Sequence, residues 1–220
     1  MKKILKLNMN SCLYNFYKFH TKILVFRWDK CEHFFEKKIL SDKEKILFFS
    51  LSEKRKREYL GVRYALRYIG MKINIFYNEK RKPFLFPEKE HISLSHSFEK
   101  IAIAISSYHI GVDIEKLRKD NKIVKIKKKF LREDESIFIN SNYEKDYLHI
   151  IWGIKESLYK LEGGIYNIYY SFLDRYKVST FCIKKDYYIS CWIIKKTYSK
   201  KFSAFYRKIG EYYLVYIIDK

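Results

Sequence analysis

The 220-residue sequence predicts an α+β protein built as two halves. Three observations predict it. Helical periodicity is confined to a few segments, the clearest at 147–161. Short β-rich or alternating runs fill most of the remainder. Each half reads as one long helix preceding a run of strands, with no repeat visible in the sequence itself.

Taken in order, residues 1–7 alternate weakly and suit an edge strand. The opening MKKILKLNMN starts like a leader peptide, but Lys6, Asn8 and Asn10 interrupt its apolar region, so it reads as mature protein. Residues 22–28 (KILVFRW) form a stronger strand. Residues 31–49 read as helical with a break at Ser41-Asp42, which has N-cap chemistry. Ser50 and Glu53 have capping-box spacing for a helix running to about residue 69, and Gly70 is its stop. Tyr59, Leu66 and Ile69 fit its buried stripe, with Arg63 and Arg67 off it.

Residues 71–77 alternate as a strand, and a turn holding Pro83 leads into 84–87. The strand 92–95 follows, and 101–105 and 110–115 read as a hairpin across a short polar turn. Residues 132–135 start a helix, and 140–145 form a polar loop. In the helix 147–161, Ile150, Ile151, Ile154, Leu158 and Leu161 form the apolar face, and Gly163-Gly164 end it. Beyond it, 181–183, 187–194, 203–206 and 211–218 predict a second antiparallel sheet.

Composition narrows the function classes. Hydrophobic residues make up 48% and aromatics 19%, which excludes a disordered chain. No apolar run approaches the roughly 20 residues of a membrane span, so the soluble cytoplasm is the default. Cys12, Cys31, Cys182 and Cys191 form no C-x-x-C pair and read as reduced thiols rather than a zinc site. The net charge of +21 fits a polyanionic partner, although the Lys-, Ile-, Tyr- and Asn-rich composition also fits drift in an A/T-rich genome. Charge alone therefore selects no partner.

Two stretches carry chemistry. In IGVDIE (110–115), Asp113 and Glu115 share the strand face opposite Ile110, Val112 and Ile114. Side chains two apart on a strand lie about 7 Å apart, and two such acids repel unless a cation joins them. In WGIKESLYK (152–160), Trp152, Glu156, Tyr159 and Lys160 group away from the apolar stripe. Taken alone, Glu156 and Lys160 are an ordinary i,i+4 surface pair.

Together with EKRKREYLGVR, RKP and ISLSHS, in this order and spacing, these stretches resemble the 4′-phosphopantetheinyl transferase superfamily of the surfactin-synthetase-activating type. The resemblance covers about residues 52–164. It implies two similar α/β halves related by pseudo-two-fold symmetry, 1–109 and 110–220, with the active site in the cleft between them. It also implies transfer of the 4′-phosphopantetheine arm of coenzyme A to a serine of an apo acyl or peptidyl carrier protein, with Mg2+ and release of 3′,5′-ADP. A cytoplasmic monomer without nucleic-acid or membrane partners is expected.

By motif, Asp113, Glu115 and Glu156 are the expected metal ligands, and Glu156 is the base, directly or through a water. Lys160 is expected to assist the leaving group, and Lys155 to contact phosphate. Ser95 and His96 are expected to hold the coenzyme A phosphates, with His96 also counted among the catalytic groups. Lys54, Arg57, Arg63 and Lys82 are the expected basic positions around the nucleotide. Arg81 departs from the family's usual glycine before Lys-Pro. The competing readings are a catalytically impaired coenzyme A-binding homologue and a basic nucleic-acid-binding protein. The residues 116–129 are a candidate contact for an acidic carrier.

Overall fold

The fold is that of a computed structural model, which describes residues 12–18, 20–28, 40–71, 74–80, 82–86, 89–118, 120–164 and 171–220. The expected strand 1–7, residues 31–39 of the expected helical stretch 31–49, and Arg81 lie outside the described residues.

Strands β1 (Cys12–Lys18) and β2 (Thr21–Arg27) pair antiparallel. Helix α1 (Asp42–Ser50) starts at Ser41, whose hydroxyl accepts from the Glu44 N–H while the Glu44 carboxylate accepts from the Ser41 N–H. The capping box expected at Ser50 and Glu53 is therefore one helix too late. Ser50 ends α1, and Ser52 precedes α2 (Glu53–Tyr68) without a side-chain cap bond. Gly70, at φ 83°, provides the left-handed residue after α2. Strands β3 (Asn74–Tyr77) and β4 (Pro83–Phe86) make a small separate ribbon.

Strands β5 (His91–Ser97) and β6 (Lys100–Ser106) complete a four-stranded sheet in the order β1-β2-β6-β5. β7 (His109–Lys116) does not pair with β6, so the expected hairpin is absent. Both edges of β6 are already taken, by β2 and β5. β7 instead pairs with β11 (Tyr212–Asp219), with Asp113 opposite Val215. Short helices α3 (Lys122–Ile126) and α4 (Glu133–Ser136) lead into α5 (Glu144–Glu162). Gly163, at φ 94°, ends it.

β8 (Tyr176–Val178), β9 (Tyr188–Ile194) and β10 (Ser199–Ile209) complete the second sheet, ordered β7-β11-β10-β9-β8. β10 is longer than the expected 203–206. β8 was not legible, and the expected strand at 181–183 is a turn in which Asp186 accepts from the Cys182 N–H.

The layering follows from side-chain alternation. On β2, Leu24 and Phe26 face α2, while Ile23 and Val25 face the second sheet. β6 places Ile101, Ile103 and Ile105 against α2 and only Ala102 and Ala104 against the second sheet. The Ile/Ala alternation thus separates a thick interface from a thin one. Ile110, Val112 and Ile114 meet those alanines, and the other face of the second sheet packs on α5. The order of layers is α2, first sheet, second sheet, α5. No helix among the described residues is long and apolar enough to cross a membrane. Cys182 and Cys191 are free thiols, and burial pushes that of Cys191 up to about 12.

Candidate active site

The site forms where the edges of the two sheets meet. β5 and β7 run side by side there, joined by side chains rather than by a ladder. Ser93 Oγ accepts from the Val112 N–H at 3.0 Å, and Ser97 Oγ accepts from the Lys116 N–H at 3.2 Å. Serine at alternate positions of ISLSHS thereby satisfies donors on the β7 edge that no described strand covers. The middle serine, Ser95, donates to Asp113 Oδ1 at 2.8 Å.

α5 closes the site from the other side. A Cβ on Gly111 would stand 2.0 Å from the Ser157 carbonyl oxygen, so this glycine is required by the close approach of helix to strand. That approach brings Lys160 over β7. Its ammonium donates to Asp113 Oδ1 at 2.8 Å, Ser95 Oγ at 3.0 Å and the Val112 carbonyl at 3.1 Å, and lies 3.8 Å from Glu156. Burial alone would lower its pKa, but the charges of Asp113 and Glu156 outweigh it and raise the value.

The carboxylates are crowded. Burial first, then the Asp113 charge, pushes Glu115 up to about 7, although Ser97 donates to it at 3.1 Å. Burial also pushes Glu156 up to about 7, with Lys160 opposing and Asp113 and Glu115 adding. Asp113 Oδ2 is buried without a hydrogen-bond partner among the described residues. Among the described residues no three His, Cys, Asp or Glu side chains are already drawn together as a metal cage. The ammonium of Lys160 stands against Asp113, where a cation shared with Glu156 would sit. An orphaned acid oxygen beside two carboxyls pushed up by burial and by their neighbours' charge is nevertheless a donor set suited to a hard divalent cation.

A cleft of about 340 Å³ runs from Ser95 toward α2, lined by Arg55, Glu58, Tyr59, Arg63, Tyr77 and His96 among others. Ser95 and His96 both line it, and a guanidinium N–H of Arg55 lies 3.0 Å from His96 Nε2. Burial lowers the His96 pKa, with Glu58 opposing and Arg55, Lys160 and Lys54 adding. A neighbouring cavity of about 220 Å³ is lined by Lys80, Lys82, Tyr159 and Lys160. Lys82 Nζ also reaches the Leu161 carbonyl at 3.4 Å, and burial lowers its pKa.

Several expectations need correction. Lys155 does not reach this cleft. It is fully buried and donates to Glu135 at 2.6 Å and to the carbonyls of Phe130 and Phe172. Its position four residues after Ile151 puts it on the apolar stripe of α5, a signal present in the sequence. Burial draws its pKa down to about 8 against the pull of Glu135, leaving the ammonium charged at neutral pH.

Arg63 is buried rather than off the stripe. It pairs with Glu44 at 2.9 Å and stacks on Tyr59, yet it still lines the cleft. Lys54 and Arg57 are both exposed, and neither lines the cleft. Arg55, one helical turn before Glu58 and Tyr59, lines it instead. Sequence reasoning missed Arg55, Glu58, Tyr59 and Tyr77. The first three share a helix face, the one signal that could have found them.

Comparison with known proteins agrees with the motifs. Residues 109–212 match the sequence model described as ACPS, 4′-phosphopantetheinyl transferase superfamily. That match holds Asp113, Glu115, Glu156 and Lys160 and excludes Ser95 and His96. The chain is 34% identical over 114 residues to the 4′-phosphopantetheinyl transferase gsp of Aneurinibacillus migulanus, covering 50% of this chain and 47% of that protein. It is 28% identical over 140 residues to a 4′-phosphopantetheinyl transferase of Bacillus subtilis, covering 61% of this chain and 58% of that one. The chain thus spans about half the length of the curated relatives it matches.

Proposed function

We propose that this chain, identified with the 4′-phosphopantetheinyl transferase superfamily through residues 109–212, moves the 4′-phosphopantetheine arm of a coenzyme A-type donor onto a serine of an apo carrier protein. One observation carries the reading. A single ammonium, that of Lys160, joins Asp113 of IGVDIE and Ser95 of ISLSHS to the helix bearing Glu156. Three motifs distant in sequence therefore meet where the pyrophosphate of the donor would lie.

In this reading 1–109 and 110–220 are the two halves, related by a pseudo-two-fold axis. The support is that each sheet carries one long helix on its outer face, α2 on the first and α5 on the second. Asp113, Glu115 and Glu156 would hold Mg2+, which when bound supplies positive charge to pyrophosphate oxygens. Glu156, pushed up to about 7, is suited to take the proton of the acceptor hydroxyl near neutral pH. The serine oxygen forms a bond to the phosphorus bearing pantetheine as the bond to the nucleotide oxygen breaks. Lys160 faces that departing oxygen with a charge that its acidic neighbours keep in place. Lys80 and Lys82 extend the positive lobe along the pyrophosphate.

The enzyme in this account is a cytoplasmic monomer whose partners are the donor and an acidic carrier domain. The test is incubation with coenzyme A, Mg2+ and several apo carrier proteins, reading the mass of the carrier. A gain of one phosphopantetheine that vanishes in Asp113→Ala and Glu156→Ala is expected. A gain equally large in both variants would refute the roles of these two carboxylates.

A further inference from the structure

The cleft and the cavity assigned to the donor reach α2 and the turn that holds Lys80 and Lys82, and Glu115 lines neither. Glu115 lines a separate pocket of about 120 Å³ with Arg118, Lys122, Ile123, Ile126 and Trp152 among others. In-line displacement places the attacking and departing oxygens on opposite sides of phosphorus. With the nucleotide leaving toward Lys160 and Lys82, the acceptor hydroxyl enters past Glu115.

Phe98 stands at that entrance. It follows Ser97, which donates to Glu115 Oε2 at 3.1 Å. Ser97 pairs with Lys100, so Phe98 and Glu99 form a two-residue hairpin turn. Phe98 holds φ at 51°, where such turns take glycine, asparagine or aspartate. A phenylalanine there stores backbone strain, yet its ring stays out of the core and is 45% exposed. The Lys116 ammonium lies 4.9 Å and the Arg118 guanidinium carbon 5.1 Å from the ring centroid. Arg118 also lines the Glu115 pocket, so the ring is held at the pocket's edge. Glu211 answers Lys116 at 3.8 Å, and the Glu115 charge acts on Arg118. Lys122 and Lys125 on α3 are exposed and form no ion pair among the described residues. An exposed aromatic ring beside such cations fits a partner surface that sets an apolar residue among carboxylates.

We propose that Phe98 is the apolar anchor on which the acceptor protein docks, with Lys122 and Lys125 meeting carboxylates around its serine. This rests on the transferase reading for the identity of the partner, but docking can be measured without turnover.

Fluorescence anisotropy of a labelled apo acyl carrier protein and a labelled apo peptidyl carrier domain, titrated with the full chain, tests it. Glycine and asparagine both suit the left-handed backbone, so Phe98→Gly and Phe98→Asn should fold as the wild type does. Each should bind the preferred carrier at least about tenfold more weakly. The factor should persist at high salt, since burial of a ring is not screened, and Phe98→Tyr should bind as the wild type does. Unchanged binding in both variants, a loss that salt abolishes, or a wild type that binds neither carrier would overturn the proposal. Transfer assays with coenzyme A and Mg2+ separate the two readings. Carrier binding that depends on Phe98, with no transfer by the wild type, sinks the transferase reading alone. Transfer with the same carrier KM in wild type and Phe98→Gly sinks the Phe98 proposal alone.

Discussion

Replacing Lys155 by Met should damage the fold and leave donor recognition intact. The ammonium is wholly enclosed, with Glu135 Oε2 at 2.6 Å and the Phe130 and Phe172 carbonyls at 2.7 and 2.8 Å. Methionine fits the space but leaves Glu135, also fully buried, as a charge without its counterion. Among the described residues Glu135 then keeps only the N–H groups of Arg132 and Val178 at 3.0 and 2.9 Å. Removing one partner of a buried pair costs about 3–5 kcal/mol. For a chain of this size each kcal/mol moves the melting temperature by about 2–4 °C, so a fall of roughly 6–20 °C is expected.

Differential scanning calorimetry or urea unfolding measures it. The double variant Lys155→Met, Glu135→Gln should recover part of the loss, because no unpaired charge is then buried. Transfer assayed below the lowered melting point should show an unchanged KM for the donor. A variant that melts like the wild type but has a raised donor KM would refute this placement and restore Lys155 as a phosphate contact.

Two other outcomes follow from the same geometry. Gly111→Ala should destabilise by about 1–3 kcal/mol or more, since its Cβ meets the Ser157 carbonyl and α5 must move off β7. Transfer should fall further than stability accounts for, because Glu156 and Lys160 move with the helix; equal losses in both would count against the placement of the site. Reversing charge at Lys122 and Lys125, both exposed on α3, should raise the KM for an acidic carrier and weaken its salt dependence while donor KM stays constant. Steady-state kinetics across ionic strength reads both effects, and an unchanged carrier KM would remove α3 from the docking face.

The acidic centre was legible because strand and helix periodicities are local. Alternation in IGVDIE assigns Asp113 and Glu115 to one face, and the apolar stripe of α5 leaves Glu156 and Lys160 off it. The partner of β7 was not legible. A short polar turn between 101–105 and 110–115 looks like a hairpin whatever else competes for β6, and the competition from β2 and β5 is long-range. Residue type alone points Lys155 and Arg63 outward, while their helical positions point them inward. Both positions fall on buried stripes, and each charge is met by an acid distant in sequence, Glu135 and Glu44. The serines of ISLSHS carried a second role that no local pattern announces, closing the β7 edge from a different sheet.

The central claim is that Asp113, Glu115 and Glu156 serve one divalent cation at the junction of the two sheets. Following the melting temperature while Mg2+ is titrated into the wild type, Asp113→Ala and Glu156→Ala tests it most directly, since an ion that binds only the folded chain stabilises it in proportion to its saturation. One saturable rise in the wild type, lost in both variants, is the predicted result. A rise of the same size and midpoint in all three proteins would contradict the account.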